Sequence, residues 1–154
     1  MSRRILLVCT GNTCRSPMAE ALLRSELARR GLDGIEVGSA GTGAWEGAPA
    51  SEGAYLVMLE RGEDLSAHRA RQLTRDLVAS ADLVLTMSRS HLARVRELGA
   101  AGRAHLLGAY AGEGDGVEVH DPFGGDLADY RSTLADLERL VALAADRVQQ
   151  ELTR

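Results

Sequence analysis

Val8-Cys9-Thr10-Gly11-Asn12-Thr13-Cys14-Arg15-Ser16-Pro17 lies between an apolar run, Ile5 to Val8, and an amphipathic segment, Met18 to Arg30. The order is strand, tight loop, helix start. Five residues separate Cys9 from Arg15. A loop that short can curl until the backbone N–H groups from Thr10 to Ser16 face one point, forming an anion-binding nest. Gly11 and Asn12 both tolerate the positive φ that such a curl requires. The helix behind the loop adds free amides and the positive end of its dipole. Arg15 brings a planar fork that matches phosphate oxygens two at a time. A positive cradle favours the anionic form of a sulfur at its base, and the thiolate is the nucleophile. The chemistry this points to is attack of Cys9 on a bound phosphoryl group.

The flanks agree with that order. Ile5-Leu6-Leu7-Val8 is apolar without a break, as in a strand covered on both faces. Pro17 suits a first helical turn. Met18, Leu22, Leu23 and Leu27 recur at helical spacing until Gly31 stops the helix, with Glu20, Arg24 and Arg29 expected on the exposed side. Ile35-Glu36-Val37 reads as a second strand. It leads into Gly38-Ser39-Ala40-Gly41-Thr42-Gly43-Ala44-Trp45, read as a loop because four of the ten residues from Gly38 to Gly47 are glycine. Trp45, the only tryptophan, either fills the core to anchor this loop or walls a cleft. Ser51 is expected to cap a helix with Tyr55, Leu56, Met58 and Leu59 facing inward and Gly62 beyond its end.

Further along, Thr74 opens a short helix to Ala79, and Leu83 to Met87 is a third strand. A helix from Arg89 to Leu98 ends at Gly99. His105-Leu106-Leu107 is a fourth strand opening into a glycine-rich, acidic loop from Gly108 to Gly116. That loop delivers Val119-His120-Asp121-Pro122-Phe123-Gly124-Gly125. Asp-Pro is a common turn pair, yet a carboxylate on a loop can reach over a cleft built elsewhere, and phosphoryl chemistry needs an acid. A last helix is expected from Leu127 to Gln150, with Tyr130, Leu134, Leu137, Val141, Ala144 and Val148 as its buried stripe and Asp129, Glu138 and Arg139 solvated. Strands alternating with helices imply an α/β fold with a parallel sheet covered on both faces.

Composition narrows the function classes. At 154 residues one domain, residues 1–154, is expected. A net charge of −4 argues against a nucleic-acid surface. All 18 basic residues are arginine, which excludes Schiff-base lysine chemistry and a nucleotide loop ending in Gly-Lys-Ser/Thr. Cys9 and Cys14, the only cysteines, share one loop and cannot build a disulfide framework. The first residues lack a signal-peptide pattern and no run approaches membrane-spanning length, so a cytoplasmic protein with no membrane partner is expected. His68, His91, His105 and His120 show no metal-ligand spacing, so neither a metal nor another cofactor is expected.

Cys9-Thr10-Gly11-Asn12-Thr13-Cys14-Arg15-Ser16-Pro17-Met18-Ala19-Glu20-Ala21, together with Asp121-Pro122-Phe123-Gly124-Gly125, closely resembles the low-molecular-weight cysteine phosphatases, usually named protein tyrosine phosphatases. The threonine form of the loop is similar to that of bacterial protein arginine phosphatases. The resemblance spans nearly the whole chain. It implies a three-layer, flavodoxin-like fold with a four-stranded parallel sheet. It also implies a phosphoprotein phosphatase with Cys9 as nucleophile, Arg15 on the phosphoryl oxygens, Asp121 as general acid, and Ser16 stabilising the departing thiolate. Thr10, Gly11, Asn12, Thr13, Cys14, Arg15 and Ser16 would bind phosphate, while hydrogen bonds among Asn12, Ser16, Ser39 and His68 would hold the loop. Thr13, Trp45 and Phe123 would wall the substrate cleft. Cys14, close to Cys9 in the same curled loop, is expected to be its redox partner. The expected partners are phosphorylated proteins, and a monomer is expected.

Substrate choice turns on Thr13. Phosphotyrosine members usually carry an apolar Ile or Leu there, and often a second aromatic where Gly124 stands. Phosphoarginine is therefore favoured over phosphotyrosine, although Trp45 suits an aromatic ligand. Arsenate reductases share the loop but need further cysteines, and none follows Cys14. A sugar-transport phosphocarrier would have no need of Asp121. A phosphoprotein-binding module would not need Cys9, Arg15 and Asp121 together.

Overall fold

The computed structural model describes residues 2–153. The elements in chain order are β1 (Arg3–Cys9), α1 (Arg15–Arg29), β2 (Ile35–Gly41), α2 (Glu52–Glu60), α3 (Arg75–Ser80), β3 (Leu83–Thr86), α4 (Arg89–Glu97), β4 (Ala104–Leu106), α5 (Leu107–Tyr110) and α6 (Leu127–Glu151). The four strands pair in parallel, in the order β2-β1-β3-β4. The chain starts at an inner strand, lays β2 on one side, then crosses to the other side with β3. In open α/β sheets the crevice at such a switch point, outside the strands' carboxyl ends, receives ligands. Cys9 is the last residue of β1 and sits there.

Strand alternation explains the unbroken apolar run. Ile5, Leu7 and Cys9 face a core shared with α1, α2, α5 and α6, whereas Leu6 and Val8 face a second core built with α3 and α4. The result is the three-layer, flavodoxin-like arrangement expected from the resemblance. Helix ends follow local chemistry. After α1, Gly31 at φ +71° lets its own N–H reach Ala28 and the Leu32 N–H reach Leu27, closing the orphan carbonyls. Ser51 and Thr74 accept from the amides of Ala54 and Leu77 to cap α2 and α3. Asp126 and Asp129 cap α6 reciprocally, so Asp129 has a structural partner as well as solvent. The expected stripe of α6 is buried throughout.

Several expectations are corrected. Helix α1 starts at Arg15, with Pro17 in its first turn as expected, so Arg15 and Ser16 belong to the helix rather than to the loop. Strand β2 runs on from Val37 to Gly41, because Gly38 to Gly41 pair with Leu6 to Cys9. Ser39 is thus a strand residue, and the loop begins at Thr42. Glu20 is half-buried because it turns to Ser39 and Arg24. On α2 the buried residues are Ala54, Val57 and Met58, whereas Leu56 and Leu59 are exposed. Residues 107–110 of the supposed strand end and loop form α5, and Leu107 and Tyr110 are buried. No helix among the described residues is long and apolar enough to cross a membrane.

Candidate active site

The loop after β1 owes its shape to what its carbonyls meet. The carbonyl of Cys9 accepts from Thr42 N–H at 2.9 Å, that of Thr10 from Gly43 N–H at 2.9 Å, and that of Thr13 from Ser51 N–H at 2.9 Å. The Asn12 carbonyl accepts from His68 Nε2 at 2.7 Å, which assigns the ring proton to that nitrogen. With these oxygens held by surrounding donors, the N–H groups of Gly11, Asn12, Thr13 and Cys14 have no acceptor among the described residues. Peptide planes that bind outward through oxygen present their N–H groups inward. Such a set of free amides at a helix N-terminus is the nest an anion requires.

Asn12 is the keystone of the curl. It takes φ +57°, the left-handed region asparagine tolerates better than most residues. It is fully buried, and its side-chain amide is fully engaged. Nδ2 donates to Ser16 Oγ at 2.8 Å and to Ser39 Oγ at 2.9 Å, while Oδ1 accepts from the Arg71 amide at 3.0 Å. The Ser39 hydroxyl in turn donates to Glu20 Oε1 at 2.5 Å. Gly41 supplies the close approach: a Cβ there would lie 2.3 Å from the Thr10 carbonyl oxygen.

Cys9 Sγ lies 2.9 Å from Ser16 Oγ. Ser16 Oγ already accepts from Asn12, so its own proton is free to donate to the sulfur. Arg15 is buried, with Nη1 donating to the Val119 carbonyl at 3.1 Å and Nη2 facing Asp121 Oδ2 at 3.5 Å. Asp121 is half-exposed, and its Oδ1 accepts from the Phe123 amide at 3.1 Å. The Val119 amide in turn donates to the Met87 carbonyl just past β3, which brings the Asp121 segment over the sheet end. Cys9, Thr10, Gly11, Thr13, Cys14, Arg15, Asp121 and Phe123 line one pocket of about 190 Å³.

Cys14 is buried beside Ser51 Oγ, at 3.2 Å, and the Tyr130 hydroxyl, at 3.5 Å. Burial, reinforced by Cys14, pushes the Tyr130 phenol up to about 12, so its oxygen keeps its proton. Trp45 is 84% exposed, so it is no core filler, and it is not among the residues lining the pocket. Phe123, 72% exposed, stands at the rim. Glu20, Gly41, Arg71 and His91 join the site or its supports without having been singled out as site residues. Only His91 carried a local signal, the Ser88-x-x-His91 spacing of a reciprocal helix cap. No cluster of three His, Cys, Asp or Glu side chains suited to a metal occurs among the described residues.

A thiol beneath a nest of amides, with a buried arginine and a carboxylate on the facing loop, defines a cysteine-dependent phosphatase. The family described as low molecular weight phosphotyrosine protein phosphatase matches residues 4–154. The chain is 41% identical over 153 residues to a protein-arginine-phosphatase of Geobacillus stearothermophilus, covering 98% of this chain and 99% of the relative. It is 40% identical over 150 residues to a probable low molecular weight protein-tyrosine-phosphatase, EpsP, of Ralstonia solanacearum, covering 97% and 98%. A solved cysteine-to-serine mutant of YwlE arginine phosphatase, carrying a phosphorylated active-site serine, superposes with a TM-score of 0.89 at 37% identity over 96% of this chain and 97% of that one. The chain belongs to the low molecular weight phosphotyrosine protein phosphatase family, and it is a cysteine-dependent phosphoprotein phosphatase.

Proposed function

We propose that the enzyme hydrolyses phosphoarginine on proteins in preference to phosphotyrosine, through a phosphocysteine on Cys9. The observation that carries this is Thr13, which lines the pocket with Cys9 and Arg15. A guanidinium arrives with N–H donors. A threonine hydroxyl accepts one or orients a water, whereas isoleucine would strip their solvent without replacing it. The one aromatic lining the pocket is Phe123, at the exposed rim, and Gly124 leaves its neighbouring position open.

In the first step the Cys9 thiolate attacks phosphorus, forming the S–P bond as the P–N bond breaks. The loop amides and the Arg15 fork bind the equatorial oxygens, and Asp121 gives its proton to the departing guanidine nitrogen. In the second step the Asp121 carboxylate takes a proton from water as that water attacks phosphorus. The S–P bond breaks, phosphate leaves, and the Ser16 hydroxyl stabilises the returning thiolate.

Thr13→Ile tests the substrate assignment. Wild type is expected to show the higher kcat/KM on a phosphoarginine peptide. The variant should lose about tenfold or more on that peptide, the cost of leaving a buried donor unpaired, and should gain on phosphotyrosine until the order reverses. A wild type that prefers phosphotyrosine, with a ranking untouched by Thr13→Ile, makes the enzyme a tyrosine phosphatase.

The same proposal includes a redox response and a cytoplasmic setting, where free thiols persist. Cys9 and Cys14 are both free and open on one pocket. Peroxide oxidises the Cys9 thiolate to a sulfenic acid, and the Cys14 thiol displaces water from it to close a disulfide. Wild type is expected to regain activity with dithiothreitol after mild peroxide, while Cys14→Ser over-oxidises and recovers only in small part. Equal recovery of the two would leave Cys14 as packing alone.

A further inference from the structure

Thr10 lines the pocket with its side chain exposed, and its hydroxyl is gripped from behind. Thr10 Oγ1 lies 2.8 Å from Nε2 of His91, a buried ring in the first turn of α4. Across that ring, the Ser88 backbone N–H donates to Nδ1 at 3.1 Å. Nδ1 is therefore an acceptor, and a neutral ring carries its proton on Nε2. Burial foremost, and the neighbouring Arg15 charge next, push His91 down to about 4 against the opposing pull of Asp121 and Glu118. The ring is thus neutral at neutral pH, and Nε2–H donates to Thr10. The hydroxyl oxygen is thereby engaged as an acceptor, and its own proton has no partner among the described residues. The direction left to it is the open pocket.

We propose that His91 is a positioning residue that fixes the Thr10 hydroxyl as a hydrogen-bond donor into the pocket, where it meets a phosphoryl oxygen of the substrate. This rests on the proposed phosphate site and adds one side-chain donor to its ring of backbone amides. A hydroxyl free to rotate could offer either its proton or its lone pairs. One whose oxygen already accepts from an immobile ring offers the proton, the polarity an anionic ligand requires. The arrangement also links the loop after β1 to the start of α4, so the donor is carried by packed elements on both sides of the switch point.

The experiment measures competitive inhibition by inorganic phosphate, with kcat and KM on p-nitrophenyl phosphate, for wild type, Thr10→Val, Thr10→Ser, His91→Asn and the Thr10→Val/His91→Asn double variant. Thr10→Val should weaken phosphate inhibition by about tenfold, the scale of a hydrogen bond to a charged group, and Thr10→Ser should stay within about twofold of wild type. Asparagine at 91 keeps an acceptor for the Ser88 amide but is too short to reach Thr10. His91→Asn should therefore reproduce the Thr10→Val loss, and the double variant should be no weaker than either single. Unchanged inhibition of Thr10→Val, or losses that multiply in the double variant, would overturn the pairing. If His91→Asn does not fold, the Val and Ser variants of the exposed Thr10 decide the donor by themselves. A wild type that phosphate does not inhibit would sink the phosphate site itself, whereas a wild type inhibited as strongly as Thr10→Val would sink only the Thr10 contact.

Discussion

Replacing Cys9 with serine is expected to lower kcat by about 10⁴-fold or more while phosphate or vanadate still binds. The binding elements do not involve the sulfur. The free amides of Gly11 to Cys14 are oriented by N–H donors outside the loop that hold its carbonyls, and Arg15 is held by Val119 and Asp121. A serine hydroxyl at this site has Ser16 and the loop amides around it, all donors, and the Asp121 carboxylate on the same pocket is turned to Arg15. The serine is therefore scarcely ionised, and an un-ionised hydroxyl is a poor nucleophile. Isothermal titration with phosphate and a turnover assay on the same preparation separate the two properties. Wild-type turnover in Cys9→Ser would end the covalent mechanism, and loss of phosphate binding together with turnover would show that the substitution had collapsed the loop.

Asp121→Asn carries the second large effect, and its size depends on the leaving group. Guanidine is strongly basic and cannot depart without a proton. The loss on a phosphoarginine peptide should therefore fall in the 10²–10⁴-fold range, about what general acid catalysis supplies. A nitrophenolate leaves readily, so the first step on p-nitrophenyl phosphate should suffer much less. The second step still lacks its base, and phosphoenzyme should accumulate in acid-quenched samples. Asparagine keeps the size of the side chain and an oxygen for the Phe123 amide, so the Asp121 segment should hold its place. Equal losses on both substrates with no phosphoenzyme would mean that Asp121 only positions Arg15.

Much of the site was legible because it is local. Cys9, Asn12, Arg15 and Ser16 lie in one strand–loop–helix passage, where spacing along the chain nearly fixes spacing in three dimensions. The apolar run of β1, the stripe of α6, and the glycines closing α1, α2 and α4 are likewise set by neighbours a few residues away. A parallel sheet covered on both faces follows from alternation of such segments, since parallel strands need crossovers and crossovers are helices.

What stayed hidden depends on partners far along the chain. Gly38 to Gly41 have little strand propensity of their own. They form strand because β1 offers a ladder beside them, and because Gly41 alone lets the Thr10 carbonyl pass so close. Trp45 reads as core filler or cleft wall in the sequence, but its position on a loop anchored through Thr42 and Gly43 leaves it in solvent. Glu20 looked like a surface charge until Ser39 came across from β2 to meet it. His91 was one of four scattered histidines, and only the packing of α4 against the loop gives it Thr10 as a partner. The sequence by itself determined the nucleophile's loop, the order of the four strands and of the helices other than α5, and the glycine-closed ends of α1, α2 and α4, because each is a matter of adjacent residues. Tertiary structure alone decided that Asp121 faces Arg15, that Asn12 is held by Ser39 and His68, and that the Thr10 hydroxyl meets His91. Each of those depends on a hydrogen bond or ion pair between segments that only the assembled sheet brings within reach.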